Sequence, residues 1–210
     1  SAALWGYFLH DEELAEHRAK GLLNPLHIQP ALESDPEHMV FYDDCANSGG
    51  QIDTVFAHWL GERGPLEEEH VLPLPQEMKE RLRTIPISLH FGIAPPGAAK
   101  AVENILKERG LRVRGVHVGQ RLPEDGLEAV NCTAELRETL EAIGYDLLRS
   151  TKPVNRWSDD RCRACALGYG GVGQLVAFPM NVPTLTVTAL WSGGSHNGEK
   201  WLPLLPRRAK

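Results

Sequence analysis

The chain has few cysteines and no long hydrophobic run, and each shortage excludes a class of protein. Its four cysteines, Cys45, Cys132, Cys162 and Cys165, form no disulfide-like framework, which is typical of a protein in a reducing cytoplasm. No stretch of about 18 apolar residues occurs, so the sequence predicts no membrane-spanning helix. It also shows no signal peptide, and we therefore predict a cytoplasmic protein.

Positive charge is in short supply as well. The chain has 22 lysines and arginines against 28 aspartates and glutamates, which gives a formal net charge of −6 at pH 7. An acidic protein is repelled by the phosphate backbone of nucleic acids and by anionic lipid surfaces. The composition therefore argues against bulk nucleic-acid binding and membrane binding as the main role.

Two common nucleotide-binding motifs are missing. A P-loop requires Gly-x-x-x-x-Gly-Lys-Ser/Thr, which does not occur. A dinucleotide fingerprint requires Gly-x-Gly-x-x-Gly directly after a strand, whereas the glycines at positions 168–173 follow a helix-like segment. The length of 210 residues indicates one domain, or one domain with a small appendage.

The most informative stretch of the sequence runs from residue 38 to residue 51. Residues 39–42 are apolar or aromatic, with the length and composition of a strand that is buried on both faces of a parallel sheet. An apolar helical period occupies residues 52–60. Between them lie an acidic pair and a small or polar loop: Asp43 and Asp44, then Asn47, Ser48, Gly49, Gly50 and Gln51.

This order of strand, acidic pair, loop and helix suits a phosphorylated ligand. Gly49 and Gly50 let the backbone approach a ligand closely and adopt positive φ angles. The amides of residues 47–51 point outward at the electropositive start of a helix. Asp43 and Asp44 lie at the carboxyl end of the strand, where they can accept hydrogen bonds from sugar hydroxyls or hold hydrated Mg²⁺. The alternative interpretation is an ordinary strand–turn–helix unit with an acidic turn.

The surrounding sequence alternates strand and helix signals. We predict strands at residues 85–91 and 112–118, with a helix at residues 96–109 between them and a short surface helix at residues 76–83. Pro86 is expected at the start of its strand or at a bulge. Because crossovers between parallel strands are right-handed, the predicted fold is α/β, a mostly parallel twisted sheet flanked by helices.

The second half of the chain carries weaker signals. We predict a helix at residues 133–143 that Gly144 closes, and a helix at residues 158–167 that Ser158 caps. Residues 174–178 and 184–191 read as strands, the second of them half-exposed. The Cys-x-x-Cys pair in the second helix lacks an obvious second pair of ligands, so two semi-buried cysteines are favoured over a zinc site.

Three segments divide the sequence. Residues 1–37 read as an N-terminal helical and linker segment, with an aromatic cluster at residues 4–9 and a short helix at residues 11–20. Residues 38–191 form the predicted core, and residues 192–210 form a tail that packs on it.

Residues 39–51 resemble the phosphoribosyl-diphosphate (PRPP) fingerprint of type I phosphoribosyltransferases, which is four apolar residues, two acids and a short loop rich in Thr, Ser and Gly. By this resemblance Asp43 and Asp44 hold the ribose 2′- and 3′-hydroxyls, and the loop at residues 47–51 cradles the 5′-phosphate. Asn47 departs from the pattern, because purine-salvage members often carry there an Asp that assists the base, and Asn cannot take a proton.

The second half narrows the resemblance to one branch. Residues 166–191 and the closing Trp-Leu-Pro-Leu-Leu-Pro-Arg at residues 201–207 look like the phosphoribosyltransferase-like domain of bacterial conflict and anti-phage defence operons. The resemblance implies a Mg²⁺-assisted transferase with PRPP as its donor, and a protein partner from a defence operon. The alternative is a non-catalytic module that senses a nucleotide or binds a partner.

Further expectations concern residues around this site. His90 and His117 each fall near the end of a predicted strand, which would place them near the crevice of the acidic pair, although core or edge histidines are the alternative. Asn181, Trp191 and Arg207 belong to the part that resembles the family, where a hood selects the acceptor base, although Trp191 is at least as readily a packed structural residue.

The loop that grips pyrophosphate in type I phosphoribosyltransferases precedes the fingerprint. Only 37 residues precede His38, and none forms a clear strand followed by a Gly- or Lys-rich loop. Either part of the fold lies before Ser1, or pyrophosphate binding has been lost and transfer chemistry with it.

Overall fold

Three parallel strands organise the first half of the protein, as the alternation of strand and helix signals predicts. The structure is a computed structural model that describes residues 28–63, 73–151, 157–178 and 182–206. The chain divides into two compact units, Ser1–Arg121 and Leu122–Lys210. This boundary falls inside the predicted core of residues 38–191, and the three-segment division stays a prediction. The predicted aromatic cluster at residues 4–9 and helix at residues 11–20 lie outside the described residues.

The sheet of the first unit has the order β1-β2-β3, with all neighbours parallel. Its strands are β1 (Met39–Cys45), β2 (Ile87–Ala94) and β3 (Val113–Arg121). Pro86 lies directly before β2, where its carbonyl accepts a hydrogen bond from the Met39 amide at 3.0 Å. The register of β2 against β3 shifts immediately afterwards, between Ile87 and Ser88. The predicted position of Pro86 at a strand start is therefore confirmed, and the missing N–H of Pro86 interrupts no ladder.

Helices pack against one face of this sheet. They are α1 (Ile28–Glu33), α2 (Gly50–Trp59), α3 (Gln76–Thr84) and α4 (Ala98–Glu108). Phe41 of β1 lies edge-on to Phe56 of α2, with ring centroids 5.3 Å apart, and Val102 and Leu106 of α4 are fully buried in the same core. Each such side chain contributes about 1.5–3 kcal/mol by its burial. The predicted α/β class with a parallel sheet flanked by helices is confirmed.

The opposite face of the sheet is more open. Val40 and Tyr42 of β1 are 41% and 48% exposed, so the prediction of a strand buried on both faces is wrong. Tyr42, His90 and His117 stand in one row across the three strands, with neighbouring ring centroids 5.0 and 4.5 Å apart. Alternation along β1 therefore separates a core face from a polar, aromatic face.

The second unit has more helix than strand among its described residues. It contains α5 (Gly126–Ala129), α6 (Ala134–Thr151), α7 (Asp159–Ala164) and α8 (Thr188–Trp191), and an antiparallel hairpin of β4 (Gly194–His196) and β5 (Glu199–Trp201). The sequence reading missed this hairpin, although Asn197-Gly198 at its turn is a strong signal. Both turn residues have positive φ angles, 51° and 82°. Leu147 and Val187 are fully buried in the core of this unit.

Gly144 does not close α6, contrary to prediction. The helix continues to Thr151, and a Cβ atom on Gly144 would lie 2.0 Å from the carbonyl oxygen of Ala166. The glycine is therefore there for close packing and not for termination. Ser158 caps α7 as predicted, since its Oγ accepts a hydrogen bond from the Arg161 amide, but the helix ends at Ala164.

The strands predicted at residues 174–178 and 184–191 are wrong. Only an isolated bridge joins Gln174 to Thr186, and Thr188–Trp191 is the short helix α8. Alternating threonines suggested a half-exposed strand, yet Thr186 and Thr188 are fully buried. The Thr188 hydroxyl donates to the Cys165 carbonyl at 2.8 Å, which allows the residue to lie in the core.

His58 of α2 has an unsatisfied polar atom in the core. Its side chain is 4% exposed, and its Nδ1 has no hydrogen-bond partner among the described residues. We expect His58→Leu to stabilise the protein by roughly 1–2 kcal/mol, because an apolar side chain removes the penalty of a buried polar atom. Urea unfolding at pH 7 measures the change. A lower unfolding free energy in the variant would contradict this and would mean that the imidazole is satisfied by an ordered water.

Candidate functional site

Two carboxylates end β1. Asp43 and Asp44 are consecutive residues near the end of β1, both half-buried, and a side-chain hydrogen bond joins their carboxyl groups. The Asp43 Oδ1 atom accepts a hydrogen bond from the Asp44 amide at 2.9 Å. Both acids lie at the carboxyl end of a parallel strand, where the sequence predicts them.

Burial changes the acid–base behaviour of this strand end. It raises the pKa of Asp43 from 3.8 to about 7, with further contributions from a side-chain hydrogen bond with Asp44 and from the charge of Asp44, whereas the hydrogen bond from the Asp44 amide lowers it. Near neutral pH the Asp43 carboxyl is therefore partly protonated and can donate as well as accept a hydrogen bond. Burial, then the charges of Asp44 and Asp43, raise the pKa of the neighbouring Cys45 thiol to about 12, so Cys45 stays protonated and is no nucleophile.

The loop after β1 leads directly into α2. The Ala46 amide donates to the Ile93 carbonyl at 3.0 Å, which ties the loop to β2. Residues 47–49 form a bend, and α2 begins at Gly50, two residues earlier than the apolar period indicates. Gly49 is the N-cap with φ 79° and makes no side-chain cap hydrogen bond. The Gly50 amide has only a long contact, 3.4 Å, to Ser48 Oγ, so the first turn of α2 remains suited to an anion.

The two glycines of the loop have different reasons to be glycine. Gly49 has a positive φ angle and is buried, and a Cβ atom on it would lie 2.8 Å from Cδ1 of Ile105 and 3.2 Å from Cγ2 of Val102. Gly50 is helical, and a Cβ there would meet only Ser48 Oγ at 3.4 Å. The expectation of positive φ angles at both positions is therefore correct for Gly49 and wrong for Gly50.

An acid in the first turn of α2 is neutralised. The Arg109 Nε and the Arg63 Nη2 atoms donate to the Asp53 carboxylate, each at 2.9 Å. An unpaired Asp53 would compete with an anionic ligand for the positive end of the helix. The two guanidinium groups offset that negative charge and leave the helix end available.

The donors present suit a magnesium ion that arrives with its ligand. Asp43 and Asp44 supply carboxylate oxygens, the donor type that Mg²⁺ prefers. In residues 28–63, 73–151, 157–178 and 182–206, no group of three or more His, Cys, Asp or Glu residues is arranged to hold a metal. Mg²⁺ is commonly bound through one or two carboxylates together with substrate phosphates, and these two residues fit that mode.

The other residues singled out in the sequence are placed differently. His90 and His117 face each other in the middle of β2 and β3, not at the strand ends, so their predicted position is wrong. Trp191 donates its Nε1–H to the Thr186 carbonyl at 2.9 Å, which favours the structural alternative for this residue. Asn181 and Arg207 lie outside the described residues. Cys162 and Cys165 are buried with free thiols.

Sequence reasoning missed a pocket in the second unit. It has a volume of about 600 Å³, and none of its lining residues comes from the loop at residues 43–51. The available signal was the combination of Arg161 and Arg163 with a run of glycines from residue 168 onwards, but nothing in the sequence indicates that they share a cavity with α6. Among the described helices, none has the length and apolarity to cross a bilayer.

The family model PRTase-CE, a phosphoribosyltransferase-like domain, matches residues 9–207. No curated protein matches the chain, and no solved structure does.

Proposed function

The chain belongs to the PRTase-CE family of phosphoribosyltransferase-like domains, and on that premise we propose that it binds PRPP or a related phosphorylated ribose or nucleotide where β1 meets α2. One observation carries the proposal. Two carboxylates at the carboxyl end of a parallel strand are followed, after residues 45–48, by an uncapped helix start with a left-handed glycine. The resemblance to domains of defence operons supports a role in bacterial defence with a protein partner.

The loop is the proposed phosphate site. A 5′-phosphate at the first turn of α2 would accept hydrogen bonds from backbone amides of Gly50 and Gln51, and the Ser48 hydroxyl can add another donor. The helix dipole contributes about 0.3–1 kcal/mol, and up to about 2 kcal/mol when the anion is partly buried. Asn47 and Gly49 complete the loop that shapes the site.

The acidic pair is the proposed ribose site. Asp43 and Asp44 would accept hydrogen bonds from the ribose 2′- and 3′-hydroxyls, and the partly protonated Asp43 can also donate one. They are also the residues that would hold Mg²⁺ together with the diphosphate. When bound, the metal supplies charge neutralisation of the departing pyrophosphate.

The proposed reaction is transfer of the phosphoribosyl group. The bond from C1′ to the pyrophosphate oxygen breaks with its electron pair leaving on pyrophosphate, and an acceptor atom forms the new bond to C1′. The sugar ring carries positive charge between these events. The protein holds the ribose by Asp43 and Asp44 and the 5′-phosphate by the loop, so that its main contribution is orientation and charge stabilisation.

A second candidate function is a non-catalytic sensor of a nucleotide or ribose phosphate. Asn47 favours it, because a carboxamide cannot take the proton that an Asp would take at this position in purine-salvage members. In this version the β1–α2 site binds its ligand and a partner protein responds, without bond cleavage.

Pyrophosphate release tests the proposal. We incubate the protein with labelled PRPP, Mg²⁺ and a cell extract as the source of acceptors, and compare Asp44→Asn with the wild type. Loss of one carboxylate at the ribose is expected to lower release by roughly 10²-fold. Asp35→Asn is the matched control, since Asp35 is an exposed acid that pairs with Arg81 on the surface and is expected to leave release unchanged.

The outcomes separate the candidates. Release that Asp44→Asn abolishes and Asp35→Asn retains supports transfer. Saturable PRPP binding without release, weakened by Asp44→Asn, supports the sensor. Absence of both binding and release in the wild-type protein would overturn the proposal for this site.

A further inference from the structure

The pocket of the second unit combines positive charge with a size suited to a small molecule. Its volume of about 600 Å³ falls within the range of about 300–1,000 Å³ that is usual for ligand sites. It lies between α6, α7 and the turn that follows α7. The side chains that carry charge or an aromatic ring in its lining are Arg137, Glu141, Arg161, Arg163 and Tyr169.

Two of its arginines are held by aromatic rings and not by acids. The Arg161 guanidinium lies over the Trp157 ring, 4.3 Å from the centroid, and the Arg163 guanidinium lies 4.8 Å from the centroid of the Tyr145 ring. In the part of the chain that the structure describes, neither forms an ion pair, whereas Arg149 nearby is paired. Aromatic faces orient a guanidinium without neutralising it, so both cations remain available to an anion in the pocket.

The remaining charges of the pocket are an ion pair and a carboxylate. Arg137 donates to Asp125 at 2.7 Å, and this hydrogen bond holds the pKa of Asp125 below its usual range. Glu141 follows Arg137 by one turn on α6 and lines the same pocket. A ligand that meets Glu141 needs a hydroxyl or an amine to donate to it. The pocket thus offers two guanidinium groups for an anion and one hydrogen-bond acceptor.

The wall opposite α6 is built from residues after α7. Gly170 and Gly171 have φ angles of 88° and 70°, and they bring the backbone to the pocket without adding side chains. The Tyr169 ring, 37% exposed, stands beside them.

We propose that this pocket binds a phosphorylated sugar or nucleotide, with the phosphate on Arg161 and Arg163 and a ligand hydroxyl or amine on Glu141. Guanidinium groups match phosphate oxygens in geometry and charge, and such hydrogen bonds are among the strongest in proteins. All these residues belong to the second unit, and no residue of the β1–α2 site takes part. The inference therefore goes beyond the proposed function and does not depend on it.

Calorimetric titration of the full chain tests the proposal with AMP, ribose 5-phosphate and inorganic phosphate as probes, without Mg²⁺. In the double variant Arg161→Gln/Arg163→Gln, AMP affinity is expected to fall by about tenfold or more. Arg149→Gln removes one positive charge from α6 outside the pocket and is expected to change the affinity less than twofold. AMP and ribose 5-phosphate are expected to bind more tightly than inorganic phosphate, because only they reach Glu141.

Several results would overturn the inference. The first is that no probe binds the wild type at millimolar concentration. The second is that Arg149→Gln weakens AMP binding as much as the double variant does. The third is that inorganic phosphate and AMP bind with equal affinity. AMP binding that survives the double variant and is lost in Asp44→Asn would assign it to the β1–α2 site and overturn only the second-unit pocket. Loss of AMP binding in the double variant supports the pocket, whether or not Asp44→Asn also weakens AMP binding.

Chemical modification of the wild-type chain gives a second test, which does not require any variant to fold. Phenylglyoxal reacts with accessible guanidinium groups, and mass spectrometry locates the adducts. Saturating AMP is expected to protect Arg161 and Arg163 by at least fivefold and to leave Arg149 unprotected. Equal modification of all three arginines with and without AMP would contradict the proposal.

Discussion

Asp43→Asn is expected to make the protein more stable than the wild type at pH 8, by up to roughly 4 kcal/mol, and to change its stability little near pH 4. Burial raises the pKa of Asp43 from 3.8 to about 7, a difference of about three pH units at about 1.4 kcal/mol each. Asn mimics the protonated carboxyl, and its Oδ1 can still accept the hydrogen bond from the Asp44 amide.

The direction of this stability change follows from the number of protons that the folded and unfolded chains bind. Between about pH 4 and pH 7 the folded protein keeps a proton on Asp43 that the unfolded chain loses, so the stability of the wild type falls as the pH rises through this range. The Asp43→Asn side chain has no such proton, and the difference between the two proteins therefore grows up to about pH 7 and then levels off. Urea unfolding at half-unit steps from pH 4.5 to pH 8 measures it.

An exposed acid provides the control for this titration. Glu138→Gln on the outer face of α6 is expected to follow the wild-type pH profile closely. Parallel profiles for the wild type and Asp43→Asn would show that Asp43 ionises normally in the folded protein. The same variant is expected to bind PRPP less well, since Asn supplies fewer acceptors to the ribose, and such a gain in stability with a loss of binding is typical of a functional site.

Gly49→Ala is expected to destabilise the protein by about 2–5 kcal/mol. An L-residue in the left-handed region costs about 1–2 kcal/mol, and the φ angle of Gly49 is 79°. The new methyl group would also lie 2.8 Å from Cδ1 of Ile105, and overpacking of this kind costs about 1–3 kcal/mol. Urea unfolding at pH 7 provides the measurement.

The adjacent glycine is the matched control. Gly50 has a helical backbone and free space around its Cα, so Gly50→Ala is expected to be neutral or to stabilise α2 by about 0.5–1 kcal/mol. Equal losses at the two positions would mean that the loop as a whole, and not the single contact of Gly49 with α4, determines the stability.

Strong local patterns were predictable from the sequence. The helix expected at residues 96–109 is α4, Ala98–Glu108, because its apolar period, its ion pair between Glu103 and Lys107 and its terminal glycine all agree. The acidic pair and the loop that follows it were placed correctly at the end of β1 for the same reason, since one short segment contains every signal.

Features that depend on distant residues were not predictable. The apolar residues of β1 cannot indicate which of its faces the helices cover, and Val40 and Tyr42 are exposed as a result. Gly144 has the sequence signature of a helix end, but the Ala166 carbonyl that requires a glycine there belongs to a segment well beyond the end of α6. The pocket lined by Arg161 and Arg163 likewise depends on the packing of α6 and α7, which no local pattern encodes.

The packing of Gly49 against Ile105 makes the shape of the proposed site depend on a residue of α4. The last methyl carbon of Ile105 occupies the space directly behind the bend that presents the first amides of α2. A change of shape at residue 105 would therefore move those amides, although residue 105 itself faces no ligand. A larger side chain at residue 49 is therefore expected to need a smaller one at residue 105 if the bend is to keep its shape.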